Sequence, residues 1–454
     1  MATPFRHQTR NDPLCGFFRW GSKLFPITNS HICIVQGEID RERLRRALLQ
    51  VVPRFEQLRD LRAAPEAEAD LLVQAVTTRH PVAFDNENFR RELMALVAAA
   101  EPGGLVRHPV RLLLLKAEDG SRTCLHLGIS HDVADVKSGN IVLAALMQEY
   151  EKGVGSAEAA LPMTHRHHAL ESIRPGWYKG AAGLLRRGRA HLEITRRMSA
   201  RERTQVRFTA RGHAVPEEEQ AGNDFHHLIL PVDLQEAIHA AAGHYGVTLN
   251  TLFSAALVRY IGKHQEPQSP RAVYTIAVSL RRLLGDAYRE AFRSFMVDCT
   301  LRVPHDVGTR ELLAAVDAEM AAIRNGRLEL ELGRMENAIS LFRNPLPKSL
   351  VYWIMKRTQG TNVLYSNPGV VDEDFAEFGK PGAPILETAI FGCLVHPYDL
   401  MFLTPTVNGR LQLDVVYRRA CFPEVERQFV EPFLAELERL LQTETGPKCR
   451  VGRQ

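Results

Sequence analysis

A mixed α/β chain in two halves, each with sheet strands flanked by helices, is the fold class this sequence predicts. Three observations carry that prediction. The chain has 454 residues, 45% of them hydrophobic and 24% charged, enough for two domains or a pseudo-symmetric pair around a substantial core. Short apolar runs bounded by turn residues alternate with stretches of helical periodicity along the whole length. Two hairpin signals, Asp119-Gly120 and Asn408-Gly409, fall one in each half between apolar runs.

The first half supports this element by element. Ile32 to Val35 reads as a strand closed by Gly37, and Asp40 can cap a helix in which Leu44, Leu48 and Val51 recur at helical spacing, ending near Pro53. Leu71 to Val76 is a further strand, and Arg90 to Ala100 a helix. Val110 to Lys116 and Thr123 to Ile129 form the strands of the Asp119-Gly120 hairpin. Ser138 can cap the next helix, with Val142, Leu146 and Tyr150 on one face.

From Gly153 to about Gln220 the pattern loosens and arginines crowd in, among them Arg186, Arg187, Arg189, Arg196, Arg197, Arg201 and Arg203. This is expected to be a solvated, partly helical connection, with a basic surface for phosphate groups or an acidic protein as the sharper reading. The second half opens with a strand at His227 to Leu230, then helices at Leu234 to Tyr245 and Thr251 to Lys263. Val273 to Leu280 is a strand ending in Arg281 and Arg282, and Leu312 to Leu330 a helix. Asn362 to Tyr365 is a short strand breaking at Ser366-Asn367-Pro368-Gly369. Asp399 to Thr406 and Leu411 to Tyr417 are strands, and Pro423 precedes a helix striped by Val425, Phe429, Phe433 and Leu437, with Pro432 placed to kink it.

Composition excludes several classes. A net charge of +4 is too mild to argue for nucleic acid, and nothing interleaves aromatics with the arginines. The seven cysteines are scattered without a C-x-x-C pair, which fits reduced thiols in a cytoplasmic protein. Met1 to Asp12 is polar, and no apolar run is long enough to span a membrane. There is no Gly-rich nucleotide loop. His165-Arg166-His167-His168 and His226-His227 read as surface or linker histidines, so no metal is expected.

The stretch Leu125 to Asp135 carries the chemistry. An apolar strand stops at Ser130-His131, and Asp135 follows His131 by four residues. The imidazole titrates nearest neutrality of all side chains, so it suits removal of a proton from a hydroxyl or amine. Taken alone, His-x-x-x-Asp is more often a structural hydrogen-bonded pair. Gly128-Ile129-Ser130-His131-Asp132 also approaches the G-x-S-x-G nucleophile elbow, but Asp132 stands where the second Gly belongs.

The His131 to Asp135 motif resembles that of the chloramphenicol acetyltransferase and condensation-domain superfamily, and other segments follow in the same order. Arg41 to Arg59 is similar to its first helix, Val110 to Tyr150 to its strand-motif-helix unit, and Gly246 to Leu252 to a helix start in the second half. Val278 to Arg281 resembles its strand ending in Arg, and Ser366 to Gly369 the turn of its alcohol acyltransferases. The resemblance implies an α/β fold of the α+β sandwich type. Two chloramphenicol-acetyltransferase-like domains, with mixed sheets flanked by helices, would enclose an active-site tunnel at their interface. The domains would be 1–180 and 221–454 around a basic linker 181–220, with residues about 360–400 crossing back onto the first domain.

By the same resemblance the chain is an acyltransferase of specialised metabolism, moving an acyl group from a thioester to an alcohol or amine by direct attack. His131 would be the general base, Asp135 and Arg281 a pair supporting the motif, Ser366 and Asn367 the oxyanion or substrate contacts, and Ser130 a tunnel residue. No cofactor would be tightly bound, and acyl-CoA or an acyl or peptidyl carrier protein would bring the acyl group. Two positions depart from the fuller motif, Ser130 for its first His and Val136 for its Gly. A β-branched Val136 resists backbone angles that Gly allows, which motivates the alternative of a catalytically degenerate fold acting as a binding protein.

Overall fold

The computed structural model describes residues 27–55, 57–58, 72–99, 109–152, 180–197, 204–206, 223–284, 286–328, 330–332, 360–371, 375–379 and 383–442, together with Phe18, Phe208, Pro347 and Leu350. In the first lobe β1 (Thr28–Gln36) leads to α1 (Arg41–Val51), where the Asp40 carboxylate accepts from the Arg43 amide at 2.6 Å. That cap starts the helix, and Leu44, Ala47, Leu48 and Val51 bury one face. β2 (Val73–Thr78), α2 (Glu87–Ala99) and β3 (Val110–Ala117) form a crossover, since β2 and β3 pair in parallel. β4 (Arg122–Ser130) returns antiparallel beside β3 and continues to α3 (Val136–Lys152).

The basic connection contains α4 (Gly180–Arg197) and β5 (Gln205–Val206). The second lobe begins with β6 (Asn223–Ile229), α5 (Val232–Tyr245) and α6 (Leu249–His264). Thr248 caps α6, whose Thr251-Leu-Phe-Ser-Ala-Ala-Leu-Val258 run is buried throughout. A helix of small and apolar residues all round belongs inside a lobe. β7 (Gln265–Glu266), β8 (Arg271–Ser279), β9 (Met296–Pro304), α7 (Thr309–Ala322) and β10 (Val363–Ser366) follow. The chain then adds β11 (Glu377–Phe378), β12 (Ala383–Phe391), β13 (Leu400–Leu403), β14 (Thr406–Val407), β15 (Arg410–Arg418) and α8 (Glu431–Gln442).

Two mixed sheets result. The first has the order β11-β12-β1-β4-β3-β2, so β12 from the second half pairs with β1 in the first. The second runs β14-β15-β13-β10-β8-β9, with β6 paired to β15. Alternation along β1 splits the apolar residues between two cores. Cys33 and Val35 pack with α1 and α3, whereas Ile32 and Ile34 face Phe225, Leu364, Met401 and Val416 of the second lobe. The seam between lobes is therefore itself a hydrophobic core. Among the described residues, no helix is long and apolar enough to cross a membrane.

Several expectations are corrected. Ser138 does not cap α3; the helix begins at Val136, and the Asp135 carboxylate accepts from the Ser138 amide at 3.0 Å. The helix expected over Leu312 to Leu330 does reach that far, but a π-helical stretch at Ile323–Arg327 interrupts its α geometry before Leu328, and residues 330–332 are helical again. A π-helical stretch at Glu426–Val430 runs without a break into α8, so Pro432 does lie inside a continuous helical segment, directly after that irregular turn. The strand expected over Asp399 to Thr406 divides at Thr404-Pro405 into β13 and β14, because Pro cannot donate to the ladder. Asn408 and Gly409 both take positive φ, the conformation of a tight hairpin.

Candidate active site at the end of β4

β4 ends because its ladder runs out of partners that continue. The Ser130 amide donates to the Pro109 carbonyl at 2.9 Å, and the His131 amide to the Ile27 carbonyl at 2.7 Å. Beyond that the chain turns, with the Val133 and Ala134 amides donating back to the Ser130 carbonyl. Asn29 of β1 donates from Nδ2 to the Ala134 carbonyl at 2.9 Å, pinning the turn to the sheet. The Ser130 hydroxyl donates to Asp132 at 2.6 Å, so this side chain serves the loop's own geometry.

His131 is 3% exposed. The Phe18 ring stacks on it with centroids 3.7 Å apart and planes 9° from parallel. Nδ1 lies 3.3 Å from the Ser294 hydroxyl, which approaches from the segment leading into β9 of the second lobe. Burial pushes the imidazole pKa down to about 4; a hydrogen bond to its own backbone and the Asp135 charge act in the opposite direction. The ring is thus neutral at physiological pH and carries a lone pair. Nδ1 is the nitrogen facing the Ser294 hydroxyl, which leaves Nε2 as the other basic edge of the ring.

Asp135 points away from His131 into a closed network. Arg281 grips both carboxylate oxygens, Nη2 meeting Oδ1 at 2.9 Å, in the bidentate geometry that guanidinium suits best. The Ser138 and Phe295 amides, each at 3.0 Å, complete the carboxylate's shell. Burial works to raise the Asp135 pKa, but the Arg281 charge and the hydrogen bonds outweigh it and hold the carboxyl below the usual range. Arg281 also donates to Ser138 Oγ and to the carbonyls of Ala291 and Arg293, while its guanidinium lies 4.9 Å from the Phe295 ring centroid. The pair therefore clips the His131 loop of the first lobe to the second.

Val136 is the first residue of α3, and among the described residues only Asn408 has positive φ without being glycine. The backbone there makes no demand that a β-branched side chain resists. Nothing in the sequence marks Ser294 or Phe18, because a single serine and an isolated Phe carry no local pattern, and Ser138 stands out only as a helix cap. The Ser366-Asn367 turn ends β10, with Asn367 Oδ1 accepting from the Gly369 amide at 2.7 Å. Its side chain also hydrogen-bonds Tyr365. Among the described residues, no hydrogen bond joins this turn to His131.

Other histidines divide. His165, His167 and His168 lie outside the described residues. His227 is not a surface side chain: its imidazole is 4% exposed, packs against Phe84 and is bonded to Asp414 at 2.6 Å. Neighbouring strand residues face opposite ways, so adjacent histidines do not share an environment. Among the described residues, no cluster of His, Cys, Asp or Glu could hold a metal ion.

No protein-family model matches the chain, and no curated protein matches its sequence. Solved structures do match. The trichothecene 15-O-acetyltransferase of Fusarium sporotrichioides is 13% identical with a TM-score of 0.68, over 94% of this chain and 93% of that one. The first condensation domain of the calcium-dependent antibiotic synthetase is 15% identical, with a TM-score of 0.67 over 96% of both chains. The X-domain from teicoplanin biosynthesis is 16% identical, with a TM-score of 0.63 over 97% and 96%. At such identities the likeness speaks to architecture, and it extends along nearly the whole chain: this protein has the two-lobed fold shared by condensation domains and that acetyltransferase.

Proposed function

We propose that the protein is an acyltransferase of specialised metabolism that moves an acyl group from a thioester to an alcohol or amine, with His131 as general base. The observation that carries this reading is the His131 ring itself. It is neutral, buried, fixed at its Nδ1 edge, and held on a loop that Asp135 and Arg281 lock between two lobes. The acceptor O–H or N–H gives its proton to His131 Nε2 as oxygen or nitrogen attacks the thioester carbonyl. The tetrahedral oxyanion collapses, the C–S bond breaks, and the thiolate takes the proton back from the imidazolium. No acyl-enzyme is needed.

The donor is acyl-CoA or an acyl group on a carrier protein's phosphopantetheine arm, both presenting the same thioester. The oxyanion requires a donor. Asn367 spends its side chain on its own turn, which leaves the Ser366 hydroxyl as the member of that pair to test. The alternative, a degenerate fold that binds without turnover, rested on Val136, and the ordinary helical backbone there removes that support.

The test is release of free thiol from short and long acyl-CoA, and from acyl carrier protein thioesters, with alcohols and amines as acceptors. Mass spectrometry of the acceptor identifies the product. The reading predicts an acylated acceptor and its loss in His131→Ala. Binding of thioesters or carrier protein with no turnover across the panel would favour the degenerate fold instead.

A further inference from the structure

The basic connection offers a second surface, independent of the acyl-transfer reading. α4 lies on the body by one side: Gly183 is buried, while Leu184, Leu185 and Leu192 are 63%, 74% and 51% exposed. Among the described residues no other element exposes three large apolar side chains. At 3.6 residues per turn these leucines fall within an arc of about 100°, with the exposed Gly188 among them and Gly183 roughly opposite. The apolar stripe is therefore turned outward. Arg186 and Arg189, also exposed, sit beyond one edge of that arc, and the helix further carries Arg187, Arg196 and Arg197 against a single acidic residue, Glu193.

We propose that α4 docks on an anionic lipid surface, with its leucines entering the acyl boundary and its arginines meeting lipid phosphates. A narrow apolar stripe on a strongly cationic helix of low overall hydrophobicity is the composition of a helix lying in the membrane interface. A second copy of this chain is a poor occupant, because it would bring two arginine-rich helices together. Three leucines also offer little against the roughly 800 Å² per partner that a stable protein interface buries. An anionic bilayer supplies both the apolar medium and the counter-charge.

The experiment is flotation of the full chain with vesicles of phosphatidylcholine alone or mixed with phosphatidylglycerol. Binding is expected on the mixed vesicles at low salt, about tenfold weaker on neutral ones, and reduced at high salt. Leu184→Gln/Leu185→Gln/Leu192→Gln should weaken it about tenfold, and Arg186→Gln/Arg189→Gln by several-fold, with unchanged far-UV circular dichroism and melting. Absence of binding to the mixed vesicles, or equal binding by the leucine variant, overturns the proposal. So does a chain that ignores vesicles yet binds an acidic protein through these leucines.

Discussion

At the scale of single residues, the site rests on how an imidazole is buried and held. Ser294→Ala removes a neutral hydrogen bond of about 1 kcal/mol, so kcat should fall about fivefold with KM unchanged, as for a residue that positions His131 without touching substrate. Phe18→Ala should readmit water to the ring and move the acid limb of kcat/KM from near pH 4 up toward 6.5, read from the pH–rate profile. Gly139 supplies a test of packing. A Cβ there would stand 1.9 Å from Nε2 of His31, a buried ring held by Asn140 at 2.9 Å. Gly139→Ala should therefore cost about 1–3 kcal/mol in urea unfolding despite its better helix propensity. On a His31→Ala background the same change should turn neutral or stabilising. His131, Asp135 and Arg281 could be singled out from spacing and resemblance, and the structure puts the last two in bonding contact. Ser294 could not, because its approach to His131 spans 163 residues of chain.

At the scale of elements, the start of α3 joins local structure to the lobe seam. One carboxylate caps the helix through the Ser138 amide and pairs with Arg281 from the far lobe. Asp135→Ala strands a buried guanidinium and should cost about 3–5 kcal/mol. Asp135→Leu/Arg281→Met removes both charges and should regain much of that stability while leaving transfer impaired, which separates the pair's hold on loop geometry from its effect on folding. Denaturation and turnover on the same three proteins check this. Helix faces and hairpins in this region were legible because apolar period and turn residues are local signals. The helix start was misplaced by three residues because Ser138 and Asp135 are both good caps, and only the Arg281 partner orients Asp135 for the task. β12 has no clear sequence signal because its outer half alternates half-buried and exposed while its inner half is buried on both faces, a pattern set by β1 beside it.

At the scale of the whole molecule, three imidazoles enter the folded state as buried bases. His31 and His131 are pushed down to about 4 and His126 to about 3, in each case chiefly by burial. In the unfolded chain all three titrate near 6.5. Between those values the unfolded state binds more protons, so their contribution is intact above pH 6.5 and is lost as pH falls toward 4. Near pH 5 the slope from these three should approach about 4 kcal/mol per pH unit, measurable by urea unfolding across that range. The division into two mixed sheets was legible, since strands and helices recur in both halves. The apolar seam between lobes was not. Ile32 and Ile34 alternate with Cys33 and Val35, and nothing in that pattern says the first face meets Phe225, about 190 residues away, and Met401, nearly 370 away, rather than a helix.

The measurement that bears most directly on the account is the rate of acyl transfer by the purified protein and by His131→Ala, followed as thiol release and as mass of the acylated acceptor. With folding of the variant verified, the rate should fall by about 10²–10⁴-fold, as loss of a general base requires. Transfer by the variant at the wild-type rate would contradict it.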